Sequence, residues 1–206
     1  MKYLTEDEEK LLLRTVREIK GKKAERDHMI LFFGFNTGLR LNELLSLNVG
    51  DVRGKVKLYV RPETTKATLK RQATGDGPEA MGKKRRPVGR TLPISRRLHA
   101  AIREFIKLKL RWREGIHDDD PLFVSKKGGR LSRRSLQEVF EHWRDRAGLE
   151  GGYTVHSMRH SFGKRLIQRG FAPATVQKLL GHKSMGSTGI YIEAGFEEMQ
   201  EAVEAR

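Results

Sequence analysis

The sequence predicts a mainly helical α+β fold with one small β-sheet. In most of the chain, apolar residues recur at every third or fourth position, which is the spacing of an amphipathic helix. Val56, Leu58 and Val60 instead alternate with Lys57, Tyr59 and Arg61, which predicts a half-buried strand, and a second strand is predicted at 88–94. No internal repeat interrupts this pattern.

The helices have recognisable start and stop signals. Thr5 and Glu8 form a capping box that begins the first helix, and its buried face is predicted to hold Leu12, Val16 and Ile19. A serine caps the helix that begins at 132. In chain order, helices are predicted from 5 to about 20, at 27–35, at 40–47, from 98 onward, from 132 to about 148, and at 156–168, 173–181 and 196–203.

The segment between the two strands is less regular. Thr64-Thr65-Lys66 either extends the first strand or pairs with it. A Gly-rich basic stretch at 71–86 is too long for a tight hairpin, so a long connection is expected there.

The strong positive charge points to a polyanionic partner. The 206 residues include 42 Lys and Arg against 26 Asp and Glu, which gives a formal net charge of +16. Nucleic acid is the first candidate, because each phosphate that a protein neutralises releases counterions and adds to the affinity. A merely basic soluble surface is the alternative. A membrane surface fits less well, because no stretch combines a long apolar face with a lysine-rich one.

Composition also excludes several kinds of site. The absence of cysteine excludes disulfides, thiolate metal sites and a cysteine nucleophile. The first residues lack the apolar core of a signal peptide, and no apolar run approaches the ~20 residues that span a bilayer. We therefore expect a soluble cytoplasmic protein that makes no membrane contact and, given its charge, associates with the nucleoid.

Two places near helices hold charged residues that the packing pattern does not explain. Arg40 stands at a turn-to-helix junction beside apolar segments, where its charge needs an anionic partner. Further along, one helical face combines two imidazoles, a guanidinium and a glycine, which suits a phosphate: His156, Arg159, His160 and Gly163. The opposite face is predicted to be the buried one and consists of Met158, Phe162 and Leu166. The alternatives are a surface arginine at a helix start and a solvated polar face.

Two further residues have weak signals of their own. His182 follows a helix end, where a lone histidine is more often structural. Tyr191 stands between two isoleucines, where a tyrosine is usually a half-buried packing residue.

Together these segments resemble the tyrosine recombinase (integrase) family. Its first-arginine motif is similar to TGLRLNELLSL, its His-x-x-Arg-His helix to HSMRHSFGKRLIQRG, and its final segment to LLGHKSMGSTGIYI. Order and spacing agree as well, because His182 follows Arg159 by 23 residues and Tyr191 follows His182 by nine. The resemblance extends from about Thr5 to Tyr191.

The resemblance implies both a fold and an activity. The fold is a helical catalytic domain with a small antiparallel three-stranded sheet, here over residues 1–206. The activity is DNA cleavage and rejoining through a 3′-phosphotyrosine, as in site-specific recombination and the integration of mobile elements, with no metal, ATP or other cofactor. Family members usually carry an N-terminal core-binding domain, which is not expected in this sequence because Arg40 comes so early.

The same resemblance implies a role for each matching residue. Arg40 and Arg159 would clamp the scissile phosphate, and His182 would hydrogen-bond its non-bridging oxygen. His156 would assist proton transfer from the nucleophile, Tyr191. Glu43 is expected to support Arg40.

Alternatives stay open for two further residues. His160 either supports the site or simply bonds within the fold. Lys66 is chosen as the acid that protonates the leaving 5′-oxygen, in competition with Lys70, Lys83 and Lys84.

Double-stranded DNA is the implied partner, with dimers to tetramers assembling on it through the C-terminal helix. Two other functions stay open: a DNA-binding regulator with little catalysis, and a type IB topoisomerase-like enzyme that relaxes DNA. The complete set of site residues argues against the regulator, because binding alone requires no nucleophile. A metal-dependent nuclease is disfavoured because no carboxylate cluster accompanies the histidines.

Overall fold

The fold surrounds a central helix, α2, and is seen in a computed structural model that describes residues 2–62 and 89–181. Over these residues the expected class, mainly helical α+β, is confirmed. The helices are α1 (Glu6–Glu18), α2 (Lys22–Thr37), α3 (Leu41–Leu45), α4 (Val49–Val52), α5 (Arg96–Arg111), α6 (Arg133–Arg146), α7 (Val155–Gln168) and α8 (Pro173–Leu180), and the strands are β1 (Lys57–Val60) and β2 (Arg90–Pro93).

Helix α2 forms the middle of the core. It packs against α1, α5 and α7. Because neighbours cover it on several sides, it is apolar around most of its circumference rather than along one stripe, and the fully buried members are Ile30, Leu31, Phe33 and Phe35. The Phe33 and Phe123 rings pack edge to face, with centroids 6.2 Å apart and an angle of 85° between the ring planes.

The sheet consists of two antiparallel strands among the described residues. Leu58 lies opposite Leu92, and both side chains are buried. The resemblance implied three strands; residues 64–66, one possible place for a third, lie outside the described residues, as does the predicted helix at 196–203. Strand β2 also contacts α8, which brings the sheet next to the end of that helix.

Two predicted helix starts are confirmed by their hydrogen bonds. The Thr5 hydroxyl accepts from the Glu8 backbone N–H at 3.2 Å, while a Glu8 carboxylate oxygen accepts from the Thr5 backbone N–H at 2.8 Å. Ser132 caps α6 by accepting from the Ser135 backbone N–H at 3.1 Å. These caps satisfy N–H groups that the first helical turn leaves without a partner.

Three details of the sequence prediction are wrong. Ile19 is 37% exposed, because α1 ends at Glu18 and the chain turns extended there. Val56 is 70% exposed and precedes β1; only its carbonyl takes part, accepting from the Ile94 N–H at 2.9 Å. Helix α2 begins at Lys22, five residues earlier than predicted, because its first turn is polar.

Candidate active site

Arg40 lies where α2 gives way to α3. Gly38 ends α2 in a left-handed conformation, with φ of 60°, and Arg40 is extended and precedes the first residue of α3. The Arg40 guanidinium donates from Nη1 to Glu43 Oε1 at 2.9 Å and from Nη2 to the Gly181 carbonyl at 3.0 Å. Its side chain stays 32% exposed, so the cation reaches solvent while both ends are held.

Glu43 is a buried carboxylate that serves two arginines. Its side chain is fully buried, and besides Arg40 it accepts from Arg90 Nη1 and Nη2, each at 2.7 Å. Burial alone would raise the pKa of Glu43. The hydrogen bonds and charge of Arg90, and then those of Arg40, outweigh burial and lower that pKa to about 2. Glu43 is therefore ionised at neutral pH.

Arg159 on α7 is buried and reaches the same place from another direction. Only 6% of the residue is exposed. Its Nη1 donates to the Gly38 carbonyl at 2.7 Å and its Nη2 to the Leu180 carbonyl at 2.6 Å. Since α7 packs against both α2 and α8, the face with Arg159 and Gly163 is covered as well. The prediction that only the opposite face is buried is therefore wrong.

The end of α8 is the meeting point of three arginines. Arg90 donates from Nε to the Leu179 carbonyl at 3.1 Å, beside the bonds from Arg159 to Leu180 and from Arg40 to Gly181. The last carbonyls of a helix lack intrahelical partners and form the negative end of its dipole. Guanidinium groups from Arg40 just before α3, from β2 and from α7 bond to them here, so these three parts of the chain are fixed to one another at this point.

The two histidines of α7 lie in different surroundings. His156 is exposed in the first turn of the helix. His160, one turn later, is half-buried. Its burial, followed by the positive charge of Arg159 and the neighbouring His156, lowers the pKa of His160 to about 4. His160 is therefore neutral at physiological pH and able to accept a hydrogen bond.

The structure brings together Arg40, Glu43 and Arg159, with the α7 histidines on the same helix as Arg159. Three predicted site residues, Lys66, His182 and Tyr191, lie outside the described residues, as do the competing Lys70, Lys83 and Lys84. Gly181, whose carbonyl accepts from Arg40, is followed directly by His182 in the sequence.

Arg90 is a member of the cluster that sequence reasoning missed. The alternation of side chains along the strand could have revealed it, because Arg90 lies on the same side as the buried Leu92 and Ile94. An arginine in phase with buried positions needs an anionic partner, and Glu43 provides it.

This cluster can hold an anion. It presents three guanidiniums and one carboxylate, so its charge is net positive, and guanidinium groups match the oxygens of a phosphate. Among residues 2–62 and 89–181, no group of three or more His, Asp or Glu could hold a metal ion. No helix in those ranges is long and apolar enough to cross a membrane.

Known proteins resemble the chain over nearly all of its length. The model of the phage integrase family matches residues 2–198. Tyrosine recombinase XerC of Histophilus somni (strain 2336) is 31% identical over 200 residues, which is 96% of this chain and 60% of that protein. Tyrosine recombinase XerC of Caldanaerobacter subterraneus subsp. tengcongensis is 32% identical over 203 residues, which is 98% of this chain and 50% of that protein. The chain thus spans only about half of these relatives' length.

Solved structures share the fold. The XerH site-specific recombinase bound to its difH substrate, in a pre-cleavage complex, matches 98% of this chain and 54% of that one with a TM-score of 0.73 and 21% identity. The catalytic domain of bacteriophage HP1 integrase matches 99% of this chain and 94% of that one with a TM-score of 0.61 and 20% identity. Identities this low speak for the fold alone.

Proposed function

Because the chain belongs to the phage integrase family, we propose that residues 1–206 act as one catalytic domain of a site-specific DNA recombinase. It cleaves and rejoins double-stranded DNA in the cytoplasm, at the nucleoid. One observation carries the proposal: Arg40 and Arg159 both bond to the carbonyls that directly precede His182. The net charge of +16 and a DNA-bound structural neighbour, XerH, support a DNA substrate.

The two arginines suit a reaction at a phosphodiester. In phosphoryl transfer, negative charge spreads over the non-bridging oxygens of the transition state, and cations already in position there lower the barrier. Arg40 and Arg159 fill this role, with His182 donating a hydrogen bond to one of these oxygens. Glu43 supports Arg40 from inside the protein, and the neutral His160 supports Arg159.

The proposed reaction is a balanced exchange at phosphorus. The phenolic oxygen of Tyr191 attacks, and His156 assists the loss of its proton. The bond between phosphorus and the 5′-oxygen breaks, and Lys66 protonates that oxygen. The products are a 3′-phosphotyrosine and a free 5′-hydroxyl. Attack by a 5′-hydroxyl on the phosphotyrosine reverses the step, so rejoining requires no ATP, because one phosphoester replaces another.

A nicked suicide substrate tests this proposal. The substrates are duplexes of randomised sequence with a nick at varied positions. Where the nick lies a few nucleotides from a cleavage site, cleavage releases a short fragment. Its loss blocks rejoining and traps the adduct. We expect a covalent protein–DNA adduct that forms in EDTA and maps to Tyr191 by mass spectrometry. Tyr191→Phe should abolish the adduct and keep DNA affinity. Tyr153→Phe is the matched control, because Tyr153 bonds to Glu8 on α1, outside the arginine cluster.

Other outcomes separate the rival functions. DNA binding without any adduct contradicts the recombinase and favours a DNA-binding regulator. An adduct together with relaxation of a supercoiled plasmid that lacks paired sites favours a topoisomerase-like enzyme. An adduct that Tyr191→Phe still forms shows that another residue is the nucleophile.

A further inference from the structure

Arg90 makes three hydrogen bonds from a largely buried position. It begins β2, and only 15% of its side chain is exposed. Two of its nitrogens hold both oxygens of Glu43 at 2.7 Å, and its Nε holds the Leu179 carbonyl at 3.1 Å. Arg90 therefore contacts, in a single side chain, the carboxylate that orients Arg40 and the end of the helix that Arg40 and Arg159 also grip.

The charges of this cluster leave Arg40 available to an anion. Glu43 carries one negative charge and faces two cations, Arg40 and Arg90. If Arg90 were neutral, the carboxylate would face Arg40 alone, and the pair would have no net charge to offer a phosphate. Sharing Glu43 with Arg90 leaves one positive charge uncompensated. Arg90 thus determines how much of the Arg40 charge is free.

The geometry leads to the same residue. The Arg40 guanidinium is held at one end by Glu43 and at the other by the Gly181 carbonyl. Arg90 fixes both supports, because it bonds Glu43 directly and bonds Leu179 two residues before Gly181. Loss of Arg90 would therefore loosen both hydrogen-bond partners of the Arg40 guanidinium, Glu43 and the Gly181 carbonyl, at the same time.

We propose that Arg90 is a positioning residue for cleavage: it shares the charge of Glu43 and anchors the end of α8, so that Arg40 meets the scissile phosphate as an oriented, uncompensated cation. This inference rests on the function proposed above. It concerns a residue that touches neither DNA nor the reacting atoms, and it assigns to the sheet a part in the electrostatics of the arginine pair.

The test compares a phosphodiester with a methylphosphonate at the scissile position of the trapped substrate. A methylphosphonate is neutral there, so a cation that offsets the phosphate charge becomes dispensable. Arg40→Ala should slow adduct formation on the phosphodiester and much less on the methylphosphonate. Arg90→Met should show the same selective loss, about tenfold to hundredfold on the phosphodiester and within about threefold on the methylphosphonate. The double variant should be no slower than Arg40→Ala alone, because both changes remove one effect.

Arg26→Met is the matched control for stability. Arg26 also holds a fully buried carboxylate, Asp27, and a backbone carbonyl, that of Val124, but it lies outside the arginine cluster. Arg26→Met should lower the thermal stability by an amount similar to that of Arg90→Met, and should slow adduct formation on both substrates equally or not at all.

A double variant, Glu43→Gln with Arg90→Met, serves if Arg90→Met alone fails to fold. It removes the buried carboxylate that Arg90→Met would leave without its Arg90 partner. That pair should retain the selective loss in a milder form, because the neutral amide introduced by Glu43→Gln no longer offsets the charge of Arg40.

The outcomes distinguish the two proposals. If the wild-type protein forms no adduct, the recombinase function fails and takes this inference with it. If the wild type forms the adduct but the Arg90 variants slow both substrates equally, as Arg26→Met does, Arg90 is only a structural residue and the inference alone is wrong.

Discussion

Gly38 has two roles in the site: it ends α2 just before Arg40, and it provides a carbonyl that Arg159 bonds to. Its left-handed backbone, with φ of 60°, ends α2, and its carbonyl accepts from Arg159. A Cβ atom at this position would come within 2.6 Å of a Phe162 ring carbon and 2.9 Å of a Leu180 methyl group. Glycine is required here both by the backbone angle and by the close approach of two helices.

Gly38→Ala should therefore be strongly destabilising, by about 2–4 kcal/mol, since backbone strain and overpacking act together. Gly54→Ala is the matched control, because Gly54 has φ of 68° but a Cβ there meets nothing within 4 Å. Strain alone should cost that variant only about 1–2 kcal/mol. Urea unfolding of both variants measures the difference, and equal losses would show that the contact with Phe162 and Leu180 does not matter.

Glu43 should make the stability depend on acid pH. Its pKa in the folded protein is about 2, below the ordinary 4.5, so the ionised form contributes stability that is complete above about pH 4.5 and is lost as the pH falls toward 2. That pKa difference corresponds to on the order of 3 kcal/mol. The gap in unfolding free energy between wild type and Glu43→Gln should narrow from pH 6 to pH 3. Glu138→Gln, which changes an exposed ion pair, should show almost no gap at either pH.

Polar contacts join helix α7 to α1 and to the residues just before α1. The Leu4 N–H donates to the Ser161 hydroxyl at 2.8 Å, in a buried position. Arg165 pairs with Glu9 on α1 and donates to the Phe35 carbonyl, at the end of α2, at 2.6 Å. Arg165, on the same helix as Arg159, thus ties α7 to α1 and α2.

Arg165→Met should cost about 1–3 kcal/mol, because it leaves the largely buried Glu9 carboxylate and the Phe35 carbonyl without a donor. Arg169→Met should cost less than about 0.5 kcal/mol, since the Arg169–Glu6 pair is half-exposed. Denaturant midpoints of the two variants provide the comparison. A loss as small for Arg165 as for Arg169 would contradict a structural role for the three-helix contact.

The lysine that protonates the leaving 5′-oxygen, proposed to be Lys66 in the segment after β1, can be identified by a chemical test. A 5′-bridging phosphorothiolate has a sulfur leaving group that requires no proton. Lys66→Ala should be slow on ordinary DNA and near the wild-type rate on the sulfur substrate. Lys70→Ala, Lys83→Ala and Lys84→Ala are the matched comparisons. Rescue of one of these variants in place of Lys66→Ala would move the assignment to that lysine.

The sequence predicted the helices and strands more completely than it predicted the contacts within the site. Apolar period and caps identified most of the helices and both described strands, because these signals are local. Helix α4 was missed, since four residues, Val49–Val52, are too few to show a period. The burial of Arg159 and the part played by Arg90 depend on the carbonyls of α8 and on Glu43, which are distant in sequence. The strand period places Arg90 in phase with buried positions, but nothing in a single chain identifies partners this distant in sequence.

Over the whole molecule, the acidic tail stands apart from the basic remainder. In the sequence, Phe196, Met199 and Val203 have the spacing of an apolar stripe on the predicted tail helix, and the segment 196–204 contains four glutamates. We propose that this tail joins protomers on DNA by docking on protein rather than on the polyanion. It lies outside the described residues.

Phe196→Ala with Met199→Ala should lower cooperativity on a DNA that holds two sites, because the stripe supplies the contact between protomers, and should leave single-site binding unchanged. Gel-shift titrations on one-site and two-site duplexes measure both quantities. Gln200→Ala, adjacent in sequence but outside the stripe, is the control. Unchanged cooperativity in the double variant would show that the tail does not connect protomers.

The cap on α8 has a consequence for which substitutions the protein tolerates. Its three arginines bond to backbone carbonyls, and a carbonyl is the same whatever side chain its residue carries. The half-buried Leu179 can therefore vary without loss of the cap, whereas Leu180 is constrained by its own burial. Gly181 is also constrained, because its φ is 65° and a Cβ there would lie 2.8 Å from the Arg90 side chain. Of these three residues, only Leu179 is therefore expected to accept neutral substitutions, although the carbonyls of all three accept hydrogen bonds from the arginines.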